Sequence, residues 1–185
     1  MSKNSYFQGI LPKSFGQLIE IRRRHKGVTN ICGFVVDFTP AIVLFQQLDM
    51  DTFQLNGYVA ILAADVKAFR VFDRPAYWRY RAVKQLKLKP EPLPSVSIAS
   101  LSSLLSSVAA RFPLLTVYRE KIDAEIYYIG RLSKLSRATF TLEDLNCNAE
   151  WTGPRRIKYA DVTSVHFGWG YESALAAVAP RSNKV

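Results

Sequence analysis

Short runs of β-branched and aromatic residues, broken at regular intervals by polar or turn-forming residues, set the pattern of this chain. Residues 28–36, 41–48, 58–62 and 66–72 read as strands, and so do 126–132, 138–145, 156–159 and 162–167. Within the last of these, apolar Val162, Val165 and Phe167 partly alternate with Thr163, Ser164 and His166, as in a half-buried strand. Four segments carry helical spacing instead. Phe15, Leu18, Ile19 and Arg22 predict a helix ahead of the first strands, and Ile98, Leu101, Leu104, Leu105 and Val108 form an apolar stripe ahead of the second set. A basic helix is expected over 77–88 and a last short one over 171–178.

The two sets of strands repeat one another. Placing Gly33 on Gly130 sets Phe38 on Leu135, Ala41 on Ala138, Phe45 on Leu142 and Leu48 on Leu145. After a gap of one residue, Ala64-Asp65-Val66 falls on Ala160-Asp161-Val162. Self-similarity at a fixed offset means one supersecondary unit used twice. The expected organisation is therefore a first unit over residues 12–78, a basic helix and proline-rich linker over 79–97, and a second unit with its terminal helix over 98–179. The chain is read as mainly β with short helices: two tandem small barrels, each preceded by a helix.

A helix followed by about five short strands, with glycine in the first strand, resembles the Sm-like (LSM) small barrel, a relative in shape of the SH3-like barrels. Gly33-x-Val-x-x-Phe38 and Gly130-x-Leu-x-x-Leu135 look like its first motif, and Leu62-Ala63-Ala64-Asp65 and Lys158-Tyr159-Ala160-Asp161 like its second. The resemblance implies binding of single-stranded RNA and assembly of barrels into rings through their edge strands. The positions that would hold the RNA-binding side chains carry Thr39, Val43 and Ala63-Ala64 in one unit and Ser136, Phe140 and Tyr159-Ala160 in the other. The framework is matched and the RNA pocket is not.

Charge adds a second theme. Of 185 residues, 25 are Lys or Arg against 15 Asp or Glu, a net charge of +10, and such a balance favours anionic partners. The excess is concentrated: between Arg74 and Lys89 there are six basic residues and no acid. In this stretch Tyr77 and Trp78 sit beside Arg79, Arg81, Lys84 and Lys87. Such a surface can stack bases and neutralise phosphates, or its aromatics can pack on a barrel while its arginines face water. Trp169, between Gly168 and Gly170, is either a contact residue or the cover of a barrel end.

Catalytic chemistry is not indicated. The two histidines read as structural: His25 at a solvated helix end, His166 on a strand beside inward Val165 and Phe167. Asp65 and Asp161 suit turn caps between strands. Cys32 and Cys147 lack the close spacing of a zinc site and are expected as reduced thiols in a cytoplasmic protein. No cofactor or metal is called for. The amino terminus shows no leader pattern. The uncharged run 92–110 contains seven serines and two prolines, which suits a helix in water better than a membrane span. The reading is a non-enzymatic protein that acts by docking a protein partner or by self-association. Nucleic-acid binding through the basic segment is the alternative, and no membrane role is expected.

Overall fold

The computed structural model describes residues 14–180 apart from Pro92 and Pro94. The amino-terminal run read for a leader, the start of the first unit at residues 12–13, the two linker prolines and residues 181–185 lie outside the described residues. The first half contributes β1 (Leu18–Arg23), β2 (Ile31–Phe38), β3 (Ile42–Leu48), β4 (Leu55–Leu62), a 3-10 turn (Ala63–Asp65) and β5 (Val66–Val71). Two helices follow, α1 (Trp78–Gln85) and α2 (Leu101–Ala109). The second half supplies β6 (Leu115–Tyr118), β7 (Tyr127–Leu135), β8 (Thr139–Leu145), β9 (Trp151–Lys158), a second 3-10 turn (Tyr159–Asp161), β10 (Ser164–Phe167) and α3 (Gly170–Val178).

All ten strands belong to one open antiparallel sheet, in the order β5-β1-β2-β3-β4-β10-β6-β7-β8-β9. This corrects the expectation of two separate Sm-like or SH3-like barrels. The 3-10 turn after β4 carries the chain away, so that β5 pairs with β1. The edge of β4 left free by that departure is taken by β10, from Ser164 opposite Ile61 to Phe167 opposite Tyr58. Neither half closes on itself; the halves are joined edge to edge, each running through its strands in the same order. The chain is a mixed α/β domain with three short helices among the described residues, and the Sm-like resemblance does not hold.

The helix expected ahead of the first strands is also corrected. Phe15, Leu18, Ile19 and Arg22 fit a helical period, yet residues 18–23 form β1. This strand lies between β2 and β5, with Ile19 and Ile21 buried on one face; on the other Leu18 is buried, Glu20 half-buried and Arg22 exposed. Ile19-Glu20-Ile21-Arg22 alternates as a half-buried strand does, but so short a run fits a helical period equally well.

Strand alternation divides the apolar residues between the two faces. Ile42 and Leu44 of β3 and Tyr58 and Ala60 of β4 point to one face, where they join Leu115, Val117, Phe140, Leu142, Val165 and Phe167 beneath α2. Helix α2 begins at Ser100, whose side chain accepts from the Ser103 N–H, and it buries Leu104, Leu105 and Val108. Such a cap contributes about 1 kcal/mol. Further along the same face, α1 seats Val83 over Leu18, Phe34, Leu48 and Phe72. On the opposite face Val43, Phe45, Val59 and Ile61 pack with Ile19, Ile21 and Val66, while α3 places Leu175 over Leu114, Ile129 and Leu145.

The segment between α1 and α2 is tied to the sheet: Gln46 Oε1 accepts from the Glu91 N–H at 2.6 Å. Gly33 and Gly130 hold equivalent places. A Cβ on either would overlap a backbone carbonyl of the neighbouring strand, that of Gln46 or Glu143, so only glycine allows the strands to pair there. Both cysteines are free thiols, Cys32 buried and Cys147 exposed. No described helix is long and apolar enough to cross a membrane.

Candidate functional site

Six of the seven residues singled out by sequence gather on α1 and its flank. Tyr77 packs edge-on against Phe72, ring centroids 5.3 Å apart. Trp78 and Arg79 exchange the roles expected of a packed aromatic and a solvated arginine. Trp78, at the first helical position, touches Phe53 at 5.6 Å and stays 55% exposed. Arg79 turns inward, pairs with Glu20 on β1 and lies 5.0 Å from the Phe72 ring centroid. Arg81 donates to the Pro75 carbonyl at 2.6 Å, and Lys84 stands 5.6 Å from the Tyr80 ring. Arg81, Lys84 and Lys87 are exposed.

The end of α1 positions its last cation. The Leu88 N–H donates to the Val83 carbonyl at 3.0 Å and the Lys87 N–H to that of Lys84 at 3.2 Å. These are the two bonds of a Schellman motif, with Val83 and Leu88 in the same apolar cluster. Lys87 occupies the left-handed position at φ 53°, where glycine is the usual residue. The result is a cleft of about 750 Å³ between α1 and the sheet. Leu18, Phe34, Phe72 and Val83 form its floor, and Lys84, Lys87 and Lys89 stand among its lining residues. Asp73 is the one acid there, and Arg74 pairs with it at 3.4 Å.

Trp169 lies elsewhere. Its ring packs over Gly57, in the joint between the halves, 5.2 Å from the His166 ring. His166 is buried, its ring tilted against that of Tyr118 at 4.4 Å and its Nε2 3.2 Å from Ser164 Oγ. Burial and the charge of Arg23 push its pKa down to about 3, so its imidazole is neutral. Beside it, buried Arg23 pairs with buried Glu120, and burial lowers the Arg23 pKa despite that partner.

His25 is not merely solvated: its Nε2 lies 2.9 Å from Asp65 Oδ1. Asp65 therefore holds a side-chain partner rather than only capping a turn, and Lys121 approaches its other oxygen at 4.0 Å. Sequence reasoning missed this polar joint because its members come from four separate segments. The one available signal was Arg23 itself, a cation continuing the apolar row Ile19-x-Ile21 of a strand.

Among the described residues no group of three or more His, Cys, Asp or Glu side chains is arranged to hold a metal. Comparison with known proteins assigns no relative: no family model, no curated protein and no solved structure matches the chain.

Proposed function

We propose that this chain is a non-enzymatic interaction module that docks an acidic segment of a protein partner in the α1 cleft. The observation that carries this reading is the pairing of an apolar floor with three lysines in one concavity of about 750 Å³. Pockets of this size with few, convergent polar groups are where ligands and anchor side chains bind. The lysines select carboxylates flanking an apolar anchor. A partner is favoured over a second copy of the chain by the charge of the sheet's two open edges. Strand β5 carries Lys67 and Arg70; β9 carries Arg155, Arg156 and Lys158, with Pro154 among them. Like charges and proline are devices that block edge-to-edge pairing. Two free thiols agree with a reducing compartment such as the cytoplasm.

The test is a titration of isotope-labelled protein with a peptide bearing Phe-Leu between glutamates. Saturable shifts at Val83, Leu88 and Phe34 are expected, lost in Lys84→Glu/Lys87→Glu. Absence of shifts, or shifts indifferent to the charge reversal, overturns the reading.

A second reading rests on exposed Trp78, with the Arg79 guanidinium 5.7 Å from its ring and Arg81 in the same helix. That arrangement suits a single-stranded nucleic acid stacked on the outer side of α1. Its mark is oligouridylate binding that falls steeply with salt and is lost in Trp78→Ala. The same substitution leaves peptide binding in the cleft unchanged.

A further inference from the structure

The sheet face that buries Val59 and Ile61 changes character where it crosses the joint. On β10 and β6 the residues directed to that face are Ser164, His166, Thr116 and Tyr118. Two adjoining cavities open there, of about 280 and about 210 Å³, and Tyr118, His166 and Trp169 line both. Arg23 and Gln47 reach the larger one. The smaller is walled by Tyr127, Ile129 and Tyr171, with Glu172, which accepts from the Thr116 hydroxyl, at its side.

The buried polar atoms left unmatched on residues of the larger cavity are mostly donors. Arg23 is 3% exposed, and its Nη2 is taken by Glu120. Its Nε and Nη1 have no hydrogen-bond acceptor among the described residues, and neither does the buried Nε1 of Trp169. His166, 7% exposed, leaves Nδ1 without a partner, and that atom is a further N–H donor when the Ser164 hydroxyl donates to Nε2. Against them stands one unmatched acceptor on this wall, Gln47 Oε1. A buried donor left unmatched costs about 1–3 kcal/mol, more when charged, and native structures keep such groups where they serve a purpose.

We propose that this joint cleft binds a small planar ligand carrying a carboxylate. The carboxylate accepts from Arg23 and from the Trp169 indole, and the ring lies among Tyr118, Tyr127 and Tyr171 in the second cavity. Aromatic walls favour a flat apolar body. The unmatched N–H donors, not net charge, select the carboxylate. Glu120 and Asp65 already face Arg23, and Glu125 and Glu172 line the two cavities, so a dianion such as phosphate would bury still more negative charge without compensation. The site is separate from the α1 cleft and does not depend on the reading given to it.

The indole N–H resonances of ¹⁵N-labelled protein test the assignment. The chain has three tryptophans, and Trp169→Phe identifies the relevant signal. Indole-3-acetate is the probe, with indole-3-acetamide and inorganic phosphate as comparators. The expected result is a saturable shift of the Trp169 signal by indole-3-acetate, with binding by the amide weaker by about tenfold or more, a difference of about 1.4 kcal/mol. Tyr127→Ala, which trims an exposed wall, weakens binding, and so does Arg23→Gln where unchanged Trp78 and Trp151 signals show an intact fold. No saturable shift by about 10 mM, an affinity weaker than about 3 kcal/mol, overturns the site. Equal shifts with the amide overturn the carboxylate, and a response to phosphate alone overturns the planar body.

Discussion

The indole of Trp169 occupies the space that a side chain on Gly57 would fill. A Cβ at Gly57 would overlap Trp169 Cδ1 and lie 2.8 Å from the Phe167 carbonyl oxygen, and the backbone there holds φ at 64°. Gly153 shares the left-handed conformation, at φ 102°, but faces open space. Gly57→Ala is therefore expected to cost about 2–4 kcal/mol, combining backbone strain with overpacking. Gly153→Ala should show the backbone part alone. Thermal unfolding measures both, and the larger loss corresponds to roughly 4–16 °C in Tm for a chain of this size. Equal losses would mean that Trp169 moves aside freely.

Acid should destabilise the fold through His166. Its folded pKa of about 3 lies below the unfolded value of about 6.5, because burial and the neighbouring Arg23 disfavour the imidazolium. The unfolded chain binds the proton first. The stability contributed is complete above pH 6.5 and is lost as pH falls from there toward 3, by up to about 1.4 kcal/mol per unit. Glu172 has the opposite sign. Burial raises its pKa above the usual value of 4.5, so its contribution is present in acid and fades as pH rises through the folded value. Urea unfolding from pH 7 to 4 should show a slope that flattens in His166→Gln.

The Arg23–Glu120 pair predicts an asymmetric mutant cycle. Both side chains are buried. Glu120→Leu removes the hydrogen-bonded partner of a buried guanidinium, leaving only the more distant charge of Asp65, and should cost about 3 kcal/mol. The double variant Arg23→Met/Glu120→Leu removes both charges and should unfold at a higher urea concentration than the single one. Additive losses would show that the pair is not coupled.

Lys87 should trade stability for binding. A lysine in the left-handed position closing α1 costs about 1 kcal/mol relative to glycine. Lys87→Gly is expected to raise the unfolding midpoint. It should also weaken acidic-peptide binding by about two- to fivefold, the effect of one partly solvated charge. A variant neither more stable nor weaker in binding would remove Lys87 from the cleft's function.

What could be read from the chain was local. The Ile98–Val108 stripe is helical from Leu101, and eight of the ten strands overlap runs marked out by composition. The two exceptions have physical causes. The alternating run of β1, Ile19 to Arg22, is four residues long and fits a helical period equally well, while β6 is itself four residues long and starts two residues after Pro113. Closure was beyond local reading. Whether β4 meets its own half or the other depends on β10, about a hundred residues later. The barrel expectation failed there, and the joint cleft was invisible for the same reason. The Trp78–Arg79 exchange depended on Glu20, a partner in a strand taken for helix.

The insertion of β10 between β4 and β6 has a consequence during synthesis. When β4 leaves the ribosome its outer edge has no strand to meet, because Ser164–Phe167 is translated about a hundred residues later. At about 5–20 residues per second that interval lasts roughly 5–20 s. Throughout it the nascent chain presents Tyr58, Val59, Ala60 and Ile61 along an unpaired backbone edge, the kind of surface that chaperones cover. The arrival of the last strand completes both halves at once.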